Sequence, residues 1–205
     1  MHSIASRLRV RLARQLAGRI LDCGSGDDLF GRHLRRAGNQ VISLDLDERA
    51  LRDTPGIGVL ASCARTPFPD DFFDAVWSCA IIEHVREEAL PEMIRITRPG
   101  GRVIAITPNK HSPFDRIKRL VGMKAWDQIE GHIRLYEHEE LAFYGPVHGE
   151  AFFVPFMGRY FWNHPRTAHV WILDLTVTDR LKRKVRRRFG EVPANDRPAV
   201  ARIVL

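Results

Sequence analysis

Acids and glycines at two apolar run ends are the residues of this chain whose types and spacing can do chemistry. In "LDCGSGDDLFG", Leu21 to Gly31, an apolar run ends near Asp22, and glycines follow at positions 24 and 26 before a helical pattern begins. Glycine tolerates positive φ and lets a ligand approach the backbone, and the helix that follows aims free N–H groups at an anion. A dinucleotide site needs a third glycine where Leu29 stands, and Asp27 and Asp28 would repel a pyrophosphate. No Gly-Lys-Ser or Gly-Lys-Thr follows, so the P-loop pattern is absent as well. A zwitterionic amino-acid ligand fits better, because Asp22 can meet its ammonium group. In "VISLDLDE", Asp45 ends a second apolar run, where a carboxylate can accept both hydroxyls of a ribose. Asp47 is better placed to cap the next helix, which leaves Asp45 to the ligand.

Histidines supply the candidate proton acceptors. His84 lies in "IIEHV", His132 in "EGHIRLY" and His111 after "TPNK". Each is also readable as polar lining, and Glu83 with His84 as a brace that holds a loop by hydrogen bonds. No tight cluster of metal ligands is expected, and no metal.

The elements that must position these residues alternate. "RILDC" reads as a strand, "DLFGRHLRRAG" as a helix with Leu29, Phe30, His33 and Leu34 on one side, and "QVISLDLDE" as a strand. "ERALRD" is a short helix, "GIGVLAS" a third strand and "FFDAVWSCAII" a fourth, apolar enough to be buried on both faces. "REEALPEMIRITRPGG" reads as a helix that breaks at Pro99–Gly101, with Pro91 early in it, and "RVIAITPN" as a fifth strand. This predicts a parallel sheet wrapped by helices. After residue 109 the expectations are helices in "SPFDRIKRLVG" and "YEHEELAFYG", a strand in "EAFFVPF", one long helix over "TAHVWILDLTVTDRLKRKVRRRF" and a last strand in "AVARIVL". We expect one domain over 1–205, with a basic N-terminal helix in 1–17, a ligand-binding core in 18–109, and an acceptor or lid region in 110–205.

The chain has 205 residues and 44% hydrophobic content, which suits a globular core. Cys23, Cys63 and Cys79 form no CxxC pair, so neither a zinc site nor a disulfide framework is suggested. Free thiols fit a reducing compartment, and no apolar run approaches bilayer length. Cytoplasmic location, soluble or peripheral to a membrane, is the expectation. The net charge is +7, and Arg180 to Phe189 holds seven basic residues and no acid. That segment suits an anionic surface of lipid, nucleic acid or substrate, or is a solvated helix face.

"ILDCGSGDD", "VISLDLDE", "ASCARTPFPDDFFDAVWSCAIIEHV", "EMIRITRPGGRVIAITPN" and "GHIRLYEHEEL" together resemble, in order and spacing, the class I S-adenosylmethionine-dependent methyltransferases, in particular those that act on small molecules. The resemblance implies a Rossmann-like, doubly wound, mostly parallel seven-stranded α/β sheet of order 3-2-1-4-5-7-6 with the last strand antiparallel. It implies S-adenosylmethionine as cofactor and S-adenosylhomocysteine as product. Asp22, Cys23, Gly24, Ser25 and Gly26 would line the methionine end, Asp45 would take the ribose, and Leu46 would pack on the adenine. Cys63 and Ala64 would lie at the adenine edge, and Ser78, Cys79 and Ala80 would border the methionine. The sequence departs from the family pattern at Asp28, where the third glycine of the motif is usual, and at Cys63, where an acid is usual.

The reaction so implied is in-line transfer of a methyl group to a small acceptor, lipid-like or anionic, with His84 and His132 as candidate catalytic residues. Aromatics after the core, from Trp126 and Tyr136 to Trp162, would line an acceptor pocket or cover the sheet. A nucleic-acid methyltransferase is less favoured, since "SCAI" stands where a proline pair follows the fourth strand in amino-methylating enzymes. A non-catalytic scaffold acting through the basic helix is the other alternative.

Overall fold

The computed structural model describes residues 7–85, 89–125, 128–129, 131–150, 168–190 and 202–204. The sheet has eight strands in the order β6-β7-β5-β4-β1-β2-β3-β8. Its centre is β1 (Arg19–Cys23), parallel to β2 (Gln40–Asp45) on one side and β4 (Phe73–Cys79) on the other. The register sets Leu21 between Ile42 and Val76, and Cys23 between Leu44 and Ser78. Ile20, Leu21, Leu44, Val76 and Trp77 are all buried, as expected for parallel strands covered on both faces. The parallel crossovers run through α2 (Leu29–Arg36) and α3 (Glu48–Arg52), the latter leading to β3 (Ile57–Leu60). Phe30 of α2 packs on Trp77, ring centroids 4.8 Å apart. The N-terminal basic segment contributes α1 (Arg7–Ala13).

The strand order expected from the sequence is found, with one addition. The last strand expected, in "AVARIVL", is β8 (Arg202–Val204), which pairs antiparallel on the free edge of β3 instead of lying beside the fifth strand, so there are eight strands where seven were expected and another segment fills the antiparallel place. Two other expectations are corrected. The helix α4 (Ala89–Ile96) stops before the Pro-Gly-Gly turn, and β5 (Thr97–Pro108) starts at once. Gly100 donates to the Val177 carbonyl at 2.9 Å, and Val177 to Gly101 at 2.8 Å, so this turn is absorbed into an antiparallel ladder. The long helix expected over 167–189 is two elements, β7 (Val170–Thr176) and α7 (Asp179–Phe189). β7 is almost continuously buried, and an apolar run without alternation does not reveal its period. Thr178 separates the two, its hydroxyl accepting from Leu181 N at 3.1 Å as the helix N-cap. The helices expected after residue 109 are α5 (Pro113–Leu120) and α6 (His138–Ala142). The strand expected in "EAFFVPF" lies outside the described residues except for Glu150, the end of β6 (Val147–Glu150), which pairs antiparallel with β7. Most of the aromatics singled out above also lie outside them.

Two compact units are distinguished, Met1–Ser78 with Glu88–Val103 and Thr176–Leu205, and Cys79–Glu87 with Ile104–Leu175. The first is held by a buried ionic network. Glu92, 1% exposed, accepts from Thr66 N at 2.8 Å, from Thr66 Oγ1 at 2.6 Å and from Arg95 Nε at 2.7 Å. Arg95 also reaches Asp70 at 2.6 Å and the Phe68 carbonyl at 2.8 Å. On α7, Lys182 pairs with Asp71 and donates to the Arg95 carbonyl at 2.9 Å, and Arg186 lies 3.3 Å from Asp70. Two cations of the basic run therefore serve the fold. Removing one partner of a buried pair leaves the other charge stranded, so Glu92→Ala should cost about 3–5 kcal/mol in urea denaturation.

Candidate active site

The glycine turn is fastened to the end of β2. Gly24 N and Ser25 N both donate to the Leu44 carbonyl, at 2.7 and 3.1 Å. Gly26 N donates to Asp45 Oδ2 at 2.9 Å, and Asp47 N to Asp45 Oδ1 at 2.9 Å. Gly24 and Gly26 have φ of 77° and 49°, which a side chain would strain. Each Asp45 oxygen is thus aimed by one backbone N–H and keeps a lone pair for a further donor. Asp47 caps α3 through Arg49 N at 2.9 Å, the role the sequence assigned it.

Asp22 lies 2% exposed beneath this turn. Burial, then the nearby Asp28 carboxylate, push its pKa up to about 7, against the pull of Arg35 and a hydrogen bond from Gly31 N–H. Asp28 sits at the helix start with φ of 61° and is itself 2% exposed. Its carboxylate pairs with Arg35 and lies 3.7 Å from Arg32 Nε, so the charge the sequence set in place of a glycine has its own counter-ion. Gly31 makes the room: a Cβ there would collide with Asp28 Oδ1, Arg35 Nη2 and Asp22 Oδ2. Neither Gly31 nor Arg35 was singled out from the sequence; the helical step from Asp28 to Arg35 was the available signal.

Asp22 Oδ2, Ser25 Oγ and Ser78 Oγ are buried without a hydrogen-bond partner. Unpaired buried polar atoms are costly, and these three lie at or just after the ends of the adjacent strands β1 and β4. These residues fit an amino-acid moiety, with Asp22 for its ammonium. Leu46 is 71% exposed beside Asp45, as a residue that receives a flat apolar ring would be. Cys63 and Ala64 are buried, and Cys23 is fully buried with its thiol hydrogen-bonded to Cys63. That contact and burial raise the Cys23 thiol well above its ordinary pKa, so it is no nucleophile. Cys23 therefore has only its backbone to offer the turn.

In the second unit, Cys79 ends β4 and Ala80 follows it. Ala80 has φ of 60°, and its N–H donates to the Ile106 carbonyl at 2.8 Å. A single 3₁₀ turn, Ile82–His84, comes next. Glu83 is fully buried and accepts from Thr107 Oγ1 at 3.0 Å. Its carbonyl accepts from Ile133 N at 2.9 Å and Arg134 N at 3.1 Å, which brings the 131–134 loop alongside. The His84 ring stands 4.7 Å from the His132 ring, and His84 Nδ1 lies 2.7 Å from the Gly131 carbonyl. One ligand-capable atom each of Glu83, His84 and His132 lies within 4.8 Å of the others. The expectation of no tight ligand cluster is thereby corrected: the three residues are brought together by backbone hydrogen bonds between loops distant in sequence. The brace reading of Glu83 and His84 is also seen. His111 is elsewhere, its Nε2 2.7 Å from Glu137, which caps α6.

Comparison with known proteins bears on the fold that carries these residues. Residues 21–105 match the family described as "Methyltransferase domain". The malonyl-[acyl-carrier protein] O-methyltransferase of Erwinia billingiae is 34% identical over 102 residues, covering 46% of this chain and 40% of that protein. The ubiquinone/menaquinone biosynthesis C-methyltransferase of Pseudomonas putida is 32% identical over 127 residues, covering 54% of this chain and 50% of that protein. The chain thus spans about half the length of the curated relatives it matches. A S-adenosylmethionine-dependent methyltransferase structure from Archaeoglobus fulgidus superposes with a TM-score of 0.59 at 16% identity, over 83% of this chain and 93% of that one. Residues 21–105 thus match the methyltransferase-domain family, and the chain has the fold of S-adenosylmethionine-dependent methyltransferases.

The raised Asp22 pKa carries a sign. Between about 4 and 7 the cofactor-free fold holds a proton that the unfolded chain has released, so rising pH lowers stability in that window. A ligand ammonium favours the ionised carboxylate. Calorimetric affinity for S-adenosylhomocysteine should therefore rise between about pH 6 and about pH 8, and Asp22→Asn should flatten the rise.

Proposed function

We propose that this chain transfers the methyl group of S-adenosylmethionine to a small acceptor, lipid-like or anionic. The observation that carries the reading is the pair of carboxylates, Asp22 buried with its Oδ2 unsatisfied, and Asp45 held by two backbone N–H groups. Asp22 binds the ammonium and Asp45 the ribose hydroxyls, while Ser25 and Ser78 offer hydroxyls at the methionine end. Leu46 covers one face of the adenine, and Cys63 and Ala64 close its edge. The cofactor supplies an already activated methyl on its sulfonium. Holding the acceptor in line with it, with water excluded, is the protein's main contribution. His84 and His132 are assigned to activating the acceptor's hydroxyl. Relatives named for malonyl-acyl-carrier-protein and quinone methylation support an acceptor that pairs an apolar body with polar oxygens.

S-Adenosylhomocysteine should bind the wild type, and Asp45→Ala should weaken it roughly a hundredfold, about 3 kcal/mol, because two charge-assisted hydrogen bonds go. Absence of binding to the folded wild type would overturn the reading in favour of a scaffold.

The exposed face of α7 favours a peripheral membrane location. Arg180, Arg183 and Arg187 point outward, unlike Lys182 and Arg186, whose partners are given above. Among the described residues no helix is long and apolar enough to cross a membrane, and all three cysteines are free, which supports a reducing compartment. Sedimentation with vesicles rich in anionic lipid should be lost in the triple charge reversal Arg180→Glu, Arg183→Glu, Arg187→Glu.

A further inference from the structure

We propose that Glu83, His84 and His132 form a binding site for a divalent first-row transition-metal ion of the zinc, manganese or iron class. One ligand-capable atom from each lies within 4.8 Å of the other two, so small side-chain rotations bring all three to the roughly 2 Å at which such an ion is held. Two imidazoles and a carboxylate select such ions over magnesium and calcium, which prefer oxygen alone.

The surroundings add independent support. The Gly131 carbonyl, 2.7 Å from His84 Nδ1, holds the proton on that nitrogen and leaves Nε2 as the lone-pair donor. A backbone carbonyl behind a histidine is the usual outer support of a metal-binding imidazole. Gly131 can approach so closely because it lacks a side chain: its φ is +87°, and a Cβ would lie 3.1 Å from His84 Nδ1. Thr107 Oγ1 orients the Glu83 carboxylate at 3.0 Å, the same kind of support for the third donor. The loop that brings His132 is fixed to Glu83 itself, through Ile133 N and Arg134 N. Glu83 is fully buried, His132 half-buried and His84 exposed, so the ion would have a protein side and an open side.

Three protein donors leave positions for exogenous oxygen ligands, as in catalytic rather than structural sites. This assignment deepens the methyl-transfer reading and rests on it for its role. An acceptor with two neighbouring oxygens would chelate the ion. The ion would draw electron density from a bound hydroxyl, whose O–H bond breaks with the pair left on oxygen and the proton passing to solvent. His84 and His132 would then activate the acceptor by holding the ion rather than by taking the proton themselves.

Metal-free, untagged protein should be titrated with Co2+ in visible absorption, with Zn2+ as competitor. One equivalent should bind with a d–d band, be displaced by Zn2+ and resist millimolar Mg2+. His84→Ala and His132→Ala should each weaken it at least tenfold, and His111→Ala should leave it unchanged. Near-UV circular dichroism checks folding, and His84→Gln and His132→Gln replace any variant that fails it. Weak, multiple Co2+ binding that these substitutions leave alone would overturn the proposal. S-Adenosylhomocysteine titration of the same samples separates the two readings. Cobalt binding without it upholds the metal site and sinks methyl transfer, and the reverse sinks the metal site alone.

Discussion

Everything in the candidate site depends on how the first turn is fastened to the second strand. The Leu44 carbonyl accepts two N–H groups of the turn, and the Asp45 carboxylate accepts a third. In a parallel sheet the turn after a strand is otherwise free to swing. Here the backbone donors of residues 24–26 are consumed by β2, so the turn has one shape. That shape places Asp22, Ser25 and Asp45 at the neighbouring carboxyl ends of β1 and β2. Asp45 is the fastener and, on the function proposed above, also the ligand group, which would couple the local fold to whatever binds.

Beneath the turn, the protein keeps two carboxylates almost dry. Burying them uncompensated would cost far more than the domain's stability allows. The solution is unequal. Asp28 takes the Arg35 guanidinium, while Asp22 is left with one backbone donor and a raised pKa. Charge compensation at Asp28 leaves Asp22 as the group whose ionisation a cationic ligand would complete. On the function proposed above, a carboxylate held short of partners stores ligand affinity, since the desolvation cost is met during folding rather than at binding.

The second unit uses a similar device with different atoms. The Glu83 carbonyl holds a distant loop by two N–H groups, and that loop delivers His132 next to His84. The side chain of Glu83 faces inward to Thr107. Backbone and side chain of one residue thus join loop position to the chemistry of three ionisable groups. The brace and the side-chain cluster are one construction seen at two levels.

The crevice was legible in the sequence because its signals are local. The apolar runs, the two glycines, the acid at the end of each run and the Asp47 cap all act within a few residues, so they fix β1, α2, β2 and α3 without reference to the rest. Asp28 was visible as an oddity, but its pairing with Arg35 required a helix to be present. The apolar run Val170–Thr176 could not be assigned from pattern, because burial on both faces erases periodicity and only pairing with β5 and β6 makes it a strand. The sequence by itself determined the family resemblance, the strand order of the core and the residues around the glycine turn, all products of short-range backbone preference and hydrophobic patterning. Only the tertiary structure decided that β8 joins the β3 edge, that two cations of the basic run turn inward, and that Glu83, His84 and His132 meet, because each depends on hydrogen bonds or ion pairs between segments far apart in the chain.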